Sequence, residues 1–154
     1  MPDDYMYTNG STTRFQKFRY IVSDEPEDEW YKVAKAKLNH LAQLPLGWDG
    51  YKAPPVSLNN AIFALDMLNQ ICFPSTPSPQ IVPGVNGNCR VEWHTLEGDI
   101  ELNVKSPNDV EVWYSVLNSN PPVEHEIVLR NDFTNIVEYL RLITEPAIAE
   151  AAVA

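Results

Sequence analysis

The feature that most constrains this chain is a change of hydrophobic period near Pro79. Upstream, apolar residues recur at helical spacing; downstream, they alternate with polar ones. An alternating pattern buries one face of a strand and no face of a helix, so the chain must divide into helices and then strands. Five short apolar runs follow Pro79: Ile81-Val82, Cys89 to Thr95, Ile100 to Val104, Val110 to Val116, and Val123 to Leu129. Turn signals separate them: Asn86-Gly87, Glu97-Gly98, Ser106-Pro107-Asn108-Asp109 and Asn118-Ser119-Asn120-Pro121-Pro122. Such close spacing predicts an antiparallel meander, because parallel strands need long crossovers.

Three helices are expected around the meander. Ser23 or Asp24 can cap the first, over about residues 25–43, with Pro26 in its first turn. Glu25, Glu27, Asp28 and Glu29 suit the positive end of its dipole, and Trp30, Ala34, Leu38 and Leu41 form its apolar stripe. Ser57 can cap the second, over 58–72, with Leu58, Ala61, Ile62, Leu65, Leu68 and Cys72 on one face and Phe63, Met67 and Ile71 on another. Asn131 or Asp132 can cap the third, over 132–144, which Pro146 should interrupt. The expected class is α+β: an antiparallel meander of four to six strands with three helices on one face. A chain of 154 residues suits one domain, here residues 14–145, opening on a strand at 14–22. A flexible arm at 1–13 and, at 146–154, a C-terminal tail or frayed alanine-rich helix should flank it. There is no internal repeat.

Charge narrows the function. The formal net charge is -10, and residues 78–154 carry -8 of it. Such a chain repels phosphate, so direct nucleic-acid binding is not expected. No apolar run is long enough to span a membrane, and the acidic start, Met1-Pro2-Asp3-Asp4, does not read as a signal peptide, which suits the cytoplasm. Cys72 and Cys89 read as buried hydrophobes, not a disulfide framework. No nucleotide loop, metal-ligand spacing or nucleophile motif is present, and no cofactor is expected.

Alternation sorts the meander's side chains. Val91 and Trp93, then Ile100, Leu102 and Val104, then Val110, Val112 and Tyr114 should face the helices. The opposite side should gather Glu92 and His94, Glu101 and Asn103, Glu111 and Trp113, and Glu124 and Glu126 as an exposed acidic face. Carboxylates facing each other are mildly destabilising, so this face is either well solvated or suited to a basic partner. Trp113 among them favours binding, since aromatics anchor interfaces. Glu92, His94 and Glu101 could hold a metal only in a cleft, which a regular sheet face does not supply. His40 and His125 read as structural.

The loop Gly47-Trp48-Asp49-Gly50 is the second candidate. Its glycines permit positive φ, and Asp49 can close a local turn while Trp48 folds inward. A corner between helices is the simple account. Trp48, Asp49, Tyr51 and Lys52 are, however, the residues of a binding loop. The segment Leu44-Pro45-Leu46-Gly47-Trp48-Asp49-Gly50, together with Pro79 to Pro83, Asn86-Gly87 and Val91-Glu92-Trp93, resembles a pattern in small uncharacterised bacterial and phage proteins. That resemblance, over roughly residues 41–104, implies a bacterial or mobile-element origin and no particular activity.

Together these features predict a non-enzymatic acidic protein that neutralises a basic partner such as a nuclease, a toxin or a nucleic-acid-handling complex. An antitoxin, an immunity protein or a phage inhibitor of a defence system is of this kind. A structural module acting through homodimerisation is the alternative, and an enzyme with dispersed site residues the third.

Overall fold

The computed structural model describes residues 27–116, 123–130 and 132–153. The expected arm at 1–13 and strand at 14–22 lie outside them. Helix α1 spans Glu29–Ala42 and buries Trp30, Tyr31, Ala34, Leu38 and Leu41. Its start differs from the expected one. Asp28 is the N-cap, in extended backbone, and offers its carbonyl to Tyr31 and Lys32 but no side-chain bond. Helix α2, Leu58–Ile71, begins as expected: Ser57 Oγ accepts from the Asn60 amide at 3.1 Å.

The buried side of α2 is rotated from the expected one. Leu58 and Ile62 face solvent, at 65% and 46% exposure, while Ala64, Met67 and Ile71 are buried. The cause is Asn60, whose amide donates to the carbonyls of Gly87 at 2.9 Å and Lys105 at 3.3 Å. Those two bonds turn the Asn60 side of the helix toward the sheet. They also satisfy a buried polar group that would otherwise destabilise the fold.

Helix α3 spans Thr134–Val153 and runs through Pro146, so the expected interruption does not form. Proline removes the bond to the carbonyl four residues back. Here that residue is Leu142, on the half-exposed side of the helix. Ala147, Ala149, Ala151 and Ala152 supply strong helix propensity beyond it. At the other end Asp132 Oδ1 accepts from the Thr134 amide at 2.9 Å.

The strands are β1 (Gln80–Pro83), β2 (Cys89–His94), β3 (Gly98–Ser106), β4 (Asp109–Val116) and β5 (Val123–Leu129). They form one sheet in the order β1-β2-β3-β4-β5, all neighbours antiparallel, which is the expected meander. The three helices cover one face. Ile81, Val91, Leu102 and Val112 form one cross-strand row against them, and Cys89, Val104, Val110 and Leu129 form another. Trp93 joins this core and donates from Nε1 to the Pro77 carbonyl at 2.7 Å, fixing the connector from α2. Both cysteines are free, and burial pushes the Cys89 thiol up to about 12.

Candidate functional site

The face away from the helices is an ordered polar surface with three rows. The central one runs Gln80–Glu92–Glu101–Trp113–Glu126, one residue from each strand. On one side lie Arg90, Asn103, Glu111 and Val128; on the other lie His94, Asp99, Ser115 and Glu124. For Glu124 only the backbone register is described, and it pairs with Ser115. His125 pairs with Tyr114 in the helix-facing phase.

The glutamates do not form the uniform exposed field that alternation predicts. Glu92 is buried, because side chains two residues away on its own strand close over it. The Arg90 guanidinium Nε bonds Glu92 Oε2 and lies 4.0 Å from Glu101 Oε1. From the other side His94 Nε2 lies 3.3 Å from Glu92 Oε1. The direct Glu92–Glu101 pair, unfavourable alone, is thus offset by a shared cation. Glu111 is held as well: Asn103 Nδ2 donates to it at 3.2 Å and Lys105 Nζ at 3.3 Å, while Asn88 orients Asn103 at 2.9 Å.

Glu126 differs from these. It is exposed and has no hydrogen-bond or ion-pair partner among the described residues. Trp113, half-buried, stands between Glu101 and Glu126 in the row. A shallow depression of about 260 Å³ opens there, lined by Arg90, Glu101, Asn103, Glu111, Trp113 and Glu126. Among the described residues no group of three His, Cys, Asp or Glu is placed to hold a metal ion.

His94 bridges two carboxylates. Its Nδ1 lies 3.0 Å from Asp99 Oδ1, and this bond, then the one to Glu92, raises its pKa above the ordinary value. A raised folded-state pKa contributes stability fully below the unfolded value of about 6.5, and that contribution disappears as pH rises through the folded value. An NMR titration should therefore place the His94 midpoint above that of a free histidine. Asp99→Asn should move it back down, the Asp99 bond being the largest cause. An unshifted midpoint in the wild type would show that the bridge does not hold in solution.

The second candidate, the loop after α1, is internally closed. Gly47 and Gly50 have φ of +81° and +87°. Asp49 Oδ1 accepts from the amides of Tyr51 at 2.9 Å and Ala53 at 3.1 Å, which holds its pKa below the ordinary carboxylate value. Trp48 is half-buried, not mostly buried as expected, and its Nε1 donates to the Pro54 carbonyl at 2.7 Å. These bonds occupy Trp48 and Asp49 in shaping the corner. Tyr51, 85% exposed, is left to contact something else, as are Leu46, 78% exposed, and Lys52. The loop joins α1 to α2 and so belongs to the helix layer, apart from the polar face.

Of the sequence-selected residues, the register brings Glu92, His94, Glu101, Glu111, Trp113, Glu124 and Glu126 onto one face, and it leaves Trp48, Asp49 and Tyr51 elsewhere. Arg90, Asp99 and Lys105 were missed as site residues. Arg90 has the same phase as Glu92 and His94, so alternation alone could have placed it. The fold and this face define an α+β protein whose sheet presents a charged, tryptophan-bearing surface. Against known proteins, the chain matches no family model, no curated protein and no solved structure.

Proposed function

We propose that this chain is a non-enzymatic acidic binding protein that neutralises a basic protein partner, as an antitoxin, an immunity protein or a phage inhibitor of a defence system does. The carrying observation is the row Glu92–Glu101–Trp113–Glu126, in which a half-buried tryptophan stands between carboxylates beside a shallow depression. Charge of one sign steers encounter with a partner of the other sign, and a central aromatic then slows its escape. The strongly negative C-terminal half, which contains the whole sheet, supports the same reading. Depressions lined by several charged side chains occur in enzymes too, but here Arg90 is already held by Glu92 and Glu111 by Lys105. The cytoplasm is the compartment that fits this role.

The test is capture of a partner from bacterial lysate at low and high salt, using the wild type and a Glu101→Gln, Glu111→Gln, Glu126→Gln triple variant. The expected result is a partner retained at low salt, released at high salt and much depleted with the triple variant. A triple variant that keeps full affinity at low salt would remove this face from consideration and direct attention to Tyr51.

A further inference from the structure

We infer that the depression at Trp113 receives an arginine side chain of the protein partner, in preference to lysine. This rests on the binding function proposed above and assigns the chemistry of its central contact. The site is set by which acceptors on the face are already engaged. Glu92 is engaged by Arg90 and His94, and Glu111 by Asn103 and Lys105. Glu101 has a single cation, at 4.0 Å, and Glu126 has no partner among the described residues. Among the described glutamates of this face, the two with unused acceptor capacity are therefore the two that flank Trp113 in the row.

Spacing then selects the donor. Glu101 and Glu126 sit on strands either side of Trp113, about 10 Å apart at the backbone. A guanidinium is a flat fork with donors along both edges, and it stacks on an indole while reaching carboxylates at its sides. An ammonium is a compact, strongly hydrated point charge that can approach one carboxylate closely. The face already contains an internal precedent. Arg90, from within the chain, lays its guanidinium between Glu92 and Glu101, one step along the same row. The next interval, Glu101–Trp113–Glu126, repeats the flanking carboxylates and puts an aromatic surface where a second guanidinium would lie. The chain's own lysine on this face, Lys105, pairs instead with Glu111 in the neighbouring row, outside the Trp113 interval.

The experiment uses the full chain and two labelled probes of equal length and charge, an oligo-arginine and an oligo-lysine peptide, with binding followed by fluorescence anisotropy at low and moderate salt. The wild type should bind the arginine probe about fivefold more tightly than the lysine probe, because the flat fork stacks on the indole and still donates to carboxylates at its edges. Trp113→Leu, which keeps apolar bulk without the aromatic face, should erase that preference and leave weak salt-dependent binding. Glu126→Gln should reduce it, and it keeps the test open if Trp113→Leu unfolds, because Glu126 is exposed. Glu138→Gln, on α3, should change nothing. Equal, salt-dependent binding of both probes would overturn the arginine site and leave the acidic-face proposal standing. Absence of binding by either probe at low salt would overturn both. Arginine methyl ester binding as tightly as the peptide would mark a small-molecule site and overturn docking of a protein side chain.

Discussion

Replacing Leu102 by Ala should lower the stability of the protein by about 2–5 kcal/mol, the range for removing a fully buried leucine. Leu102 is fully buried at the middle of the central strand β3, and its cross-strand neighbours are Val91 and Val112, also fully buried. Strands on both sides hold those neighbours in place, so the cavity cannot collapse easily. The loss is a large share of the ~5–15 kcal/mol that keeps a domain folded. Glu101, one residue away, projects from the opposite face, and Glu101→Gln should change stability by no more than about 0.5 kcal/mol. Urea unfolding checks the contrast: the midpoint should fall sharply for Leu102→Ala, with an unchanged slope, and barely move for Glu101→Gln. A Leu102→Ala loss under about 1 kcal/mol would mean that this row is not the core of the sheet.

Gly98→Ala should be the most damaging of the glycine substitutions, at no less than about 2 kcal/mol, because backbone cannot yield as a side chain can. A Cβ at Gly98 would lie 2.3 Å from the Ser115 carbonyl oxygen and 3.4 Å from its carbonyl carbon. Gly98 opens β3 opposite Val116 of β4, and the chain there is pinned from the other side too. Its carbonyl accepts from the Thr95 amide at 3.0 Å and from Thr95 Oγ1 at 2.9 Å, and its own amide donates to Thr95 Oγ1 at 3.2 Å. Relief therefore requires opening the end of the β3–β4 ladder or breaking the turn. Gly50 is the useful comparison. Its φ of +87° disfavours a side chain, but a Cβ there meets nothing within 4 Å. Gly50→Ala should cost only the backbone preference, about 1 kcal/mol. Equal melting temperatures for the two variants would contradict this placement of β4 over Gly98.

Much of the architecture was legible in the sequence because it depends on local periodicity. The strands begin and end within two residues of the apolar runs, and Val91, Leu102, Val104, Val110 and Val112 all fall on the buried side. The Asp49 turn was legible for a similar reason, since an Asx turn closes over a few residues. The departures have non-local causes. Leu58 and Ile62 belong to an apolar stripe of α2 by spacing, yet two bonds from Asn60 to distant carbonyls turn that stripe outward. Pro146 reads as a stop, yet the alanine-rich segment beyond it continues the helix.

For the polar face the division follows the same physics. By itself, the sequence determined that strands follow the first two helices, that they form a meander, and which side of the sheet each residue takes. The two-residue repeat of an extended backbone carries that information within each strand. Only the tertiary structure decided how the charges pair. Burial of Glu92, engagement of Glu111 and the freedom of Glu126 depend on which strands meet in which register. They also depend on side chains brought together across the sheet, such as Arg90 with Glu101 and Asn88 with Asn103. Alternation assigns a residue to a face, but it does not say which cation on that face will reach it. A row of carboxylates that looks uniform in the sequence therefore becomes, in the folded sheet, two satisfied acceptors and an open interval around Trp113.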